Sequence, residues 1–299
     1  MNNDNIIFRN QSGWGQFIFF VLLFTVGLIA ALFISIVTTY LWFGRVGVPI
    51  EEYTLNYLRT TQIISTVFMF LIPACAYAHL STGNIVAFLR AGKPASAVYV
   101  ILSVLVIAAI QPFVDMLGYY NQNIQLPGSL SLLEQLFKSF AELAKQTMEI
   151  FFSDTSVTGL IVNIIIIAGL AAVLEEIFFR GCLQQIILKI VKNVHVAVWI
   201  TAIIFSAIHL DFYGFVPRVI LGAALGYLFV WSNNLWIPIL AHFLNNASAI
   251  VVEYLSKGGD AVLKDYTPGI DTVWAIGSFV VTFSLLILLY KKRECKSNI

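Results

Sequence analysis

The stretch Leu174-Glu175-Glu176-Ile177-Phe178-Phe179-Arg180-Gly181 puts two adjacent carboxylates and a guanidinium inside a run that is apolar on both sides. Upstream, Gly159–Val173 has Asn163 as its only strongly polar residue, and downstream Cys182–Leu188 is apolar apart from Gln184 and Gln185. A run of this length and polarity folds as a helix at membrane depth. Ionisable groups there are costly, so they face a bundle interior, find partners and mark function. The remaining chain must therefore supply both the bundle and the partners.

Composition agrees. Of 299 residues, 59% are hydrophobic and 11% charged, against about 25% charged in soluble domains. The chain reads as an all-α polytopic membrane protein. A formal net charge of +1 gives no field that would recruit nucleic acid. Cys75, Cys182 and Cys295 form no CxxC pair and read as small buried hydrophobes, not as a disulfide framework or a thiolate metal site.

A helix needs about 20 mostly apolar residues to cross the hydrocarbon. That rule gives spans near 17–42, 62–80, 96–117, 157 into the opening motif, 194–210, 215–232, 235–255 and 272–290, eight in all. The first is too long for a signal-peptide core and is read as a span. A polar N-terminal segment (Asn2, Asn3, Asp4, Asn5, Arg9, Asn10) precedes it. The basic cluster Lys291-Lys292-Arg293 with Lys296 marks a cytoplasmic end, and eight spans put both termini there. Lys257 and Lys264 fall on the opposite side and weaken the bias.

Between the third and fourth spans, residues 129–151 differ in kind. Leu133, Leu136, Phe137, Phe140, Leu143 and Met148 recur at helical spacing, with Glu134, Lys138, Glu142, Lys145 and Glu149 opposite. Pro127-Gly128 breaks the chain before it, and Ser129 or Ser131 is a candidate cap. The pattern predicts an amphipathic helix on the surface of the membrane or bundle, either a plain packing element or a lid or substrate guide. The chain divides into N-terminal spans and this helix (1–156), a core (157–256), and a last span with a basic tail (257–299), all within one integral domain.

Chemistry then rests on a few polar residues. Glu176 and Arg180 are four apart and pair on one helix face, whereas Glu175 points about 100° away and is left free. By itself the stretch is equally a structural ion pair or a proton relay. His209 ends the fifth span after Phe205 and Ser206, and a lone histidine there usually serves as a hydrogen-bonded core residue. His79 and His195 read as interfacial. In the seventh span His242 and Asn246 share a face, as an interhelical pair or as donors to an oxyanion. Together these groups suffice to activate water and to stabilise a tetrahedral intermediate. Ser206, one turn from His209, is a weak nucleophile candidate.

The set Glu175-Glu176-xxx-Arg180, Phe205-xxx-His209 and His242-xxx-Asn246 resembles the signature motifs of the CPBP family, the CAAX proteases and bacteriocin-processing enzymes also called Abi. The resemblance covers residues 157–256, and the small-residue pattern Gly222-Ala-Ala-Leu-Gly226 is similar too. It implies an intramembrane endopeptidase acting on a membrane-associated peptide or protein in the bilayer, expected in a bacterial plasma membrane. By position, Glu175 with His209 would activate water, His242 and Asn246 would stabilise the oxyanion, Glu176 and Arg180 would hold the motif helix, and Phe205 would line the site. Asp211 and Tyr213 lie near the cavity mouth without an assigned role.

The family has been described both as metalloproteases and as glutamate-dependent proteases. A zinc site takes three protein ligands and a water, and a single helix commonly supplies two of them. Here Glu175, His209 and His242 would each come from a different helix. A metal-free mechanism is favoured, with zinc on those three residues as the alternative. Two other classes remain open, a non-catalytic immunity or partner-binding member of the same fold and a proton-coupled transporter. The absence of an internal repeat counts against the transporter.

Overall fold

The structure is a computed structural model, and it describes residues 11–257 and 270–293. The polar segment through Asn10, together with Lys264, Cys295 and Lys296, lies outside the described residues. The main helices are α1 (Gly13–Phe43), α2 (Leu55–Thr82), α3 (Ala97–Gln122), α4 (Ser131–Phe151), α5 (Val157–Val191), α6 (Val194–Ile208), α7 (Phe215–Ser232), α8 (Trp236–Lys257) and α9 (Ile270–Lys292). The described residues contain no strand. The architecture is the expected all-α polytopic membrane fold.

Helices occupy all eight expected stretches, but six of them, α1, α2, α3, α5, α7 and α9, are long and apolar enough to cross a membrane by themselves. The apolar α6 has only 15 residues. In α8, His242, Asn245 and Asn246 interrupt 22 residues. The two helices that fall short are those that carry His242, Asn246 and the approach to His209. α6 falls short by length alone, whereas in α8 polar residues lower the apolarity and burial inside the bundle compensates.

At the centre stands α5. From Phe178 to Gln184 every residue is buried. Phe178 and Phe179 pack with Phe20 of α1 and Phe70 of α2, the ring centroids of Phe20 and Phe178 lying 4.7 Å apart. In contrast α1 and α9 present Leu22, Val26, Ile29, Phe33, Val273, Trp274 and Val280 outward, as lipid-facing helices must.

Close packing depends on local irregularities. In α2 the segment Val67–Leu71 is π-helical just before Pro73. A proline lacks the N–H that its helix position needs, and the wide turn accommodates the loss. α1 approaches this bulge at Gly27, where a β-carbon would sit 2.7 Å from the Pro73 ring. In α3, Pro112 breaks the ladder, and Ser278 of α9 mends it by accepting from the Phe113 N–H at 3.3 Å and donating to the Ala109 carbonyl at 2.5 Å. Gly222 and Gly226 on α7 face Ala202 and Gln184, so the small-residue pattern does bring α7 close to α5 and α6.

α4 keeps the amphipathic character expected of it, with Leu132 80% exposed and a Glu134–Lys138 pair at 2.8 Å. The cap differs from expectation. Leu130 occupies the N-cap position and no side-chain hydrogen bond caps the helix, since Ser129 lies within the turn Gly128–Leu130 and Ser131 is already the first helical residue. Phe137 stacks on Phe212 with centroids 4.6 Å apart, which fixes α4 beside the loop that follows His209. Asn163, the lone polar residue of its run, accepts from Arg59 of α2 at 3.0 Å and donates to the Phe151 carbonyl at 2.7 Å, tying α2, α4 and α5 at the same end of the bundle.

Gly27→Val should force α1 away from the bulge in α2 and cost about 1–3 kcal/mol. Thermal unfolding of the purified protein in detergent should show a lower midpoint, with the helix content of the folded state unchanged.

Candidate active site

The two glutamates have opposite environments. Glu176 and Arg180 are both 0% exposed, and Arg180 Nη1 donates to Glu176 Oε1 at 2.6 Å. Arg180 Nη2 donates to the Gly222 carbonyl at 2.9 Å, and its guanidinium lies over the Phe205 ring at 4.8 Å. Gly222 is where a small residue matters, because it brings a backbone carbonyl of α7 within reach of a charge on α5. The pairing of Glu176 with Arg180 is therefore present, and it extends to a third partner. His242 Nδ1 lies 2.8 Å from the same Glu176 Oε1, so Glu176 also joins α5 to α8.

Glu175 is 12% exposed and borders a cavity of about 420 Å³. Phe205, His209, His242, Asn245 and Asn246 line the same cavity, with Gln62, Ile107 and Arg218. The structure thus brings every motif residue to one place, with Glu176 and Arg180 sealed behind its wall. A larger groove of about 560 Å³, between α3, α6, α7 and α9, is lined by residues such as Phe113, Trp199, Tyr227 and Phe283 and by none of the motif residues. It lies on the apolar face of the bundle, so the smaller cavity is the candidate site.

Orientation of the histidines follows from their second nitrogens. α6 ends at Ile208, and the chain turns at Leu210, which has a φ of 54°. His209, at that corner, donates Nδ1–H to the Phe205 carbonyl at 2.7 Å. His242 donates Nδ1–H to Glu176. Both bonds fix the tautomer and turn each Nε2 toward the cavity. There, Nε2 of His209 and Nε2 of His242 each lie 3.9 Å from Glu175 Oε2. That is beyond a direct hydrogen bond and within reach of one bridging water. Phe205 packs between Arg180 and the two imidazoles, 4.9 Å from His209 and 5.8 Å from His242 by ring centroids.

Zinc can be tested against these atoms. Ligands at about 2.0–2.1 Å from one tetrahedral ion sit roughly 3.3 Å apart, and the Glu175–imidazole separations are wider. Among the described residues no group of three His, Cys, Asp or Glu has metal-ligand spacing. The donor chemistry would suit zinc, but the spacing does not.

Other residues settle into supporting positions. Ser206 donates to the Phe215 carbonyl at 2.8 Å, which occupies its hydroxyl. Asp211 pairs with Arg218 at 2.8 Å and accepts from the Gly214 N–H at 3.0 Å, closing the turn between α6 and α7 at the cavity mouth. His195 bonds Tyr227 at 2.9 Å, away from the site. Gln62, Arg218 and Asn245 line the cavity although the motifs do not include them. The sequence signal that could have found Gln62 and Asn245 is the one that flagged His209, a polar residue inside an apolar span.

Residues 157–248 match the family model described as type II CAAX prenyl endopeptidase Rce1-like. That match is a similarity of this segment to the family, and it covers the stretch that carries the three motifs. The chain is also 32% identical over 89 residues to an uncharacterized protein, YpbD, of Bacillus subtilis strain 168, an alignment covering 28% of this chain and 42% of that relative. The chain therefore spans less than half the length of the curated relative it matches. No solved structure matches it significantly. It is an integral membrane protein, and its segment 157–248 is similar to the CAAX prenyl endopeptidase model.

Removing Arg180 alone would leave Glu176 buried with His242 as its remaining partner among the described residues. Arg180→Met should cost about 3–5 kcal/mol, read as a large fall in thermal midpoint and in the yield of folded protein.

Proposed function

We propose that the chain is an intramembrane endopeptidase that hydrolyses a peptide bond of a membrane-associated protein or peptide. The observation that carries this reading is the approach of two imidazoles, with tautomers set from behind, to a single carboxylate oxygen at 3.9 Å each. Glu175 is the general base. It takes a proton from a water in that gap, assisted by Nε2 of His209, as the water oxygen bonds to the scissile carbonyl carbon. The oxyanion that forms accepts hydrogen bonds from the Asn246 NH2 group and from His242, whose ring Glu176 anchors through Nδ1. The proton held at Glu175 passes to the leaving nitrogen as the C–N bond breaks.

The mechanism is metal-free, and Phe205 keeps the imidazoles apart from Arg180. The family's name points to prenylated substrates, and the mouth beside α4 and the Phe212 loop suits a chain arriving along the membrane surface. We place the protein in a bacterial plasma membrane with both ends cytoplasmic, on the strength of the basic cluster Lys291-Lys292-Arg293.

Membrane proteomes of a wild-type strain and a Glu175→Gln strain provide the test. Loss of a general base slows turnover about 10²–10⁴-fold, so uncleaved precursors should accumulate only in the variant. Identical proteomes would remove the activity. Cleavage of such a precursor by purified protein should survive 1,10-phenanthroline. Loss in the chelator, restored by added zinc, would instead make Glu175, His209 and His242 ligands.

A further inference from the structure

The amide of Asn246 can help an oxyanion only if its NH2 end faces the substrate. Turned over, it presents a carbonyl oxygen to a developing negative charge and opposes the reaction. Something must set that choice, and a chain of hydrogen bonds leads to it from a helix outside the family-matched segment. Gln111 of α3 donates through Nε2 to the Ile107 carbonyl at 3.1 Å and to Asn245 Oδ1 at 3.0 Å. Asn245 in turn donates through Nδ2 to Asn246 Oδ1 at 3.2 Å.

Each link dictates the next. A backbone carbonyl can only accept, so Ile107 holds the nitrogen end of Gln111 in place. With that nitrogen facing α8, Asn245 must present its oxygen, because a flipped amide would set one NH2 against another. Asn245 then has its own NH2 left to give to Asn246 Oδ1. Among the described residues Asn246 is left with its NH2 uncommitted, in the cavity that also holds Glu175, His209 and His242. Three amide dipoles run head to tail and reinforce one another in a low-dielectric interior.

We propose that Gln111 and Asn245 are positioning residues that fix the polarity of Asn246, an inference that rests on the endopeptidase reading. It makes α3, which lies outside residues 157–248, part of the catalytic apparatus. Asn245 and Asn246 then have different tasks although they are adjacent, one orienting and one donating. A plain interhelical bond between α3 and α8 would contribute only stability, so the two roles differ in what they move.

Two arms test it. In the first, the full chain labelled with 15N-asparagine is studied by NMR in nanodiscs, with the side-chain amides of Asn245 and Asn246 assigned by Asn245→Leu and Asn246→Ala. Gln111→Met, close in size but without a donor, should shift the Asn246 amide signal, two residues removed from the change. An unmoved Asn246 signal overturns the relay whatever the activity. In the second, cleavage is followed with a peptide spanning the cut site of a precursor that accumulates in the Glu175→Gln strain. Gln111→Met should lower kcat about tenfold and leave KM unchanged, a part of the 10²–10³-fold expected for loss of an oxyanion donor. The double variant Gln111→Met/Asn246→Ala should be no slower than Asn246→Ala, because the relay acts only through Asn246. Multiplying losses overturn the proposal. Full activity of Asn246→Ala would instead defeat the oxyanion assignment itself, and the NMR arm would still decide whether the relay exists.

Discussion

A charge at membrane depth must find a partner, and the bundle is arranged around a buried carboxylate that meets this demand twice. Glu176 Oε1 accepts from Arg180 of its own helix and from His242 of α8. Arg180 reaches on to the Gly222 carbonyl of α7, with the Phe205 ring of α6 beneath it. Four helices therefore meet at a single buried ion pair. Neither half is tolerable alone, since breaking such a pair strands an uncompensated charge in a low-dielectric interior. Gly222 of α7, Phe205 of α6 and His242 of α8 all contact that one pair.

The adjacent carboxylate is released by the same geometry. One residue along a helix is about 100° of rotation, enough to move a side chain from the sealed interior to the cavity wall. Glu175 thereby faces the two Nε2 atoms that the Phe205 carbonyl and Glu176 have already turned toward it. The groups that set tautomers lie behind the cavity and the groups proposed to react lie in front, a separation that preorganised sites require.

Much of this was legible in the sequence. The positions of the spans follow from apolar run length, and the i, i+4 spacing of Glu176 and Arg180 fixes their pairing whatever the tertiary structure. Periodicity sufficed for the amphipathic face of α4. What escaped depends on how helices rotate against one another. The His242–Glu176 bond, the Arg59–Asn163 tie and the Gln111–Asn245 contact join residues 66, 104 and 134 positions apart. An isolated glutamine such as Gln111 in an apolar helix carries no mark of its partner. The π-helical turn before Pro73 is visible in sequence only as a proline, and why Gly27 must be small becomes clear only when α1 lies against it. Helix α8 showed why hydropathy alone is a poor judge of a span in such a bundle, since His242, Asn245 and Asn246, which lower it, line the candidate site.

The separation of the two glutamates is the central claim, and turnover by the purified Glu175→Gln protein measures it most directly. The account predicts a protein that keeps the wild-type thermal midpoint, because the Glu176–Arg180–His242 cluster is intact, and that no longer cleaves the precursor peptide. Cleavage at the wild-type rate by that folded variant would contradict it.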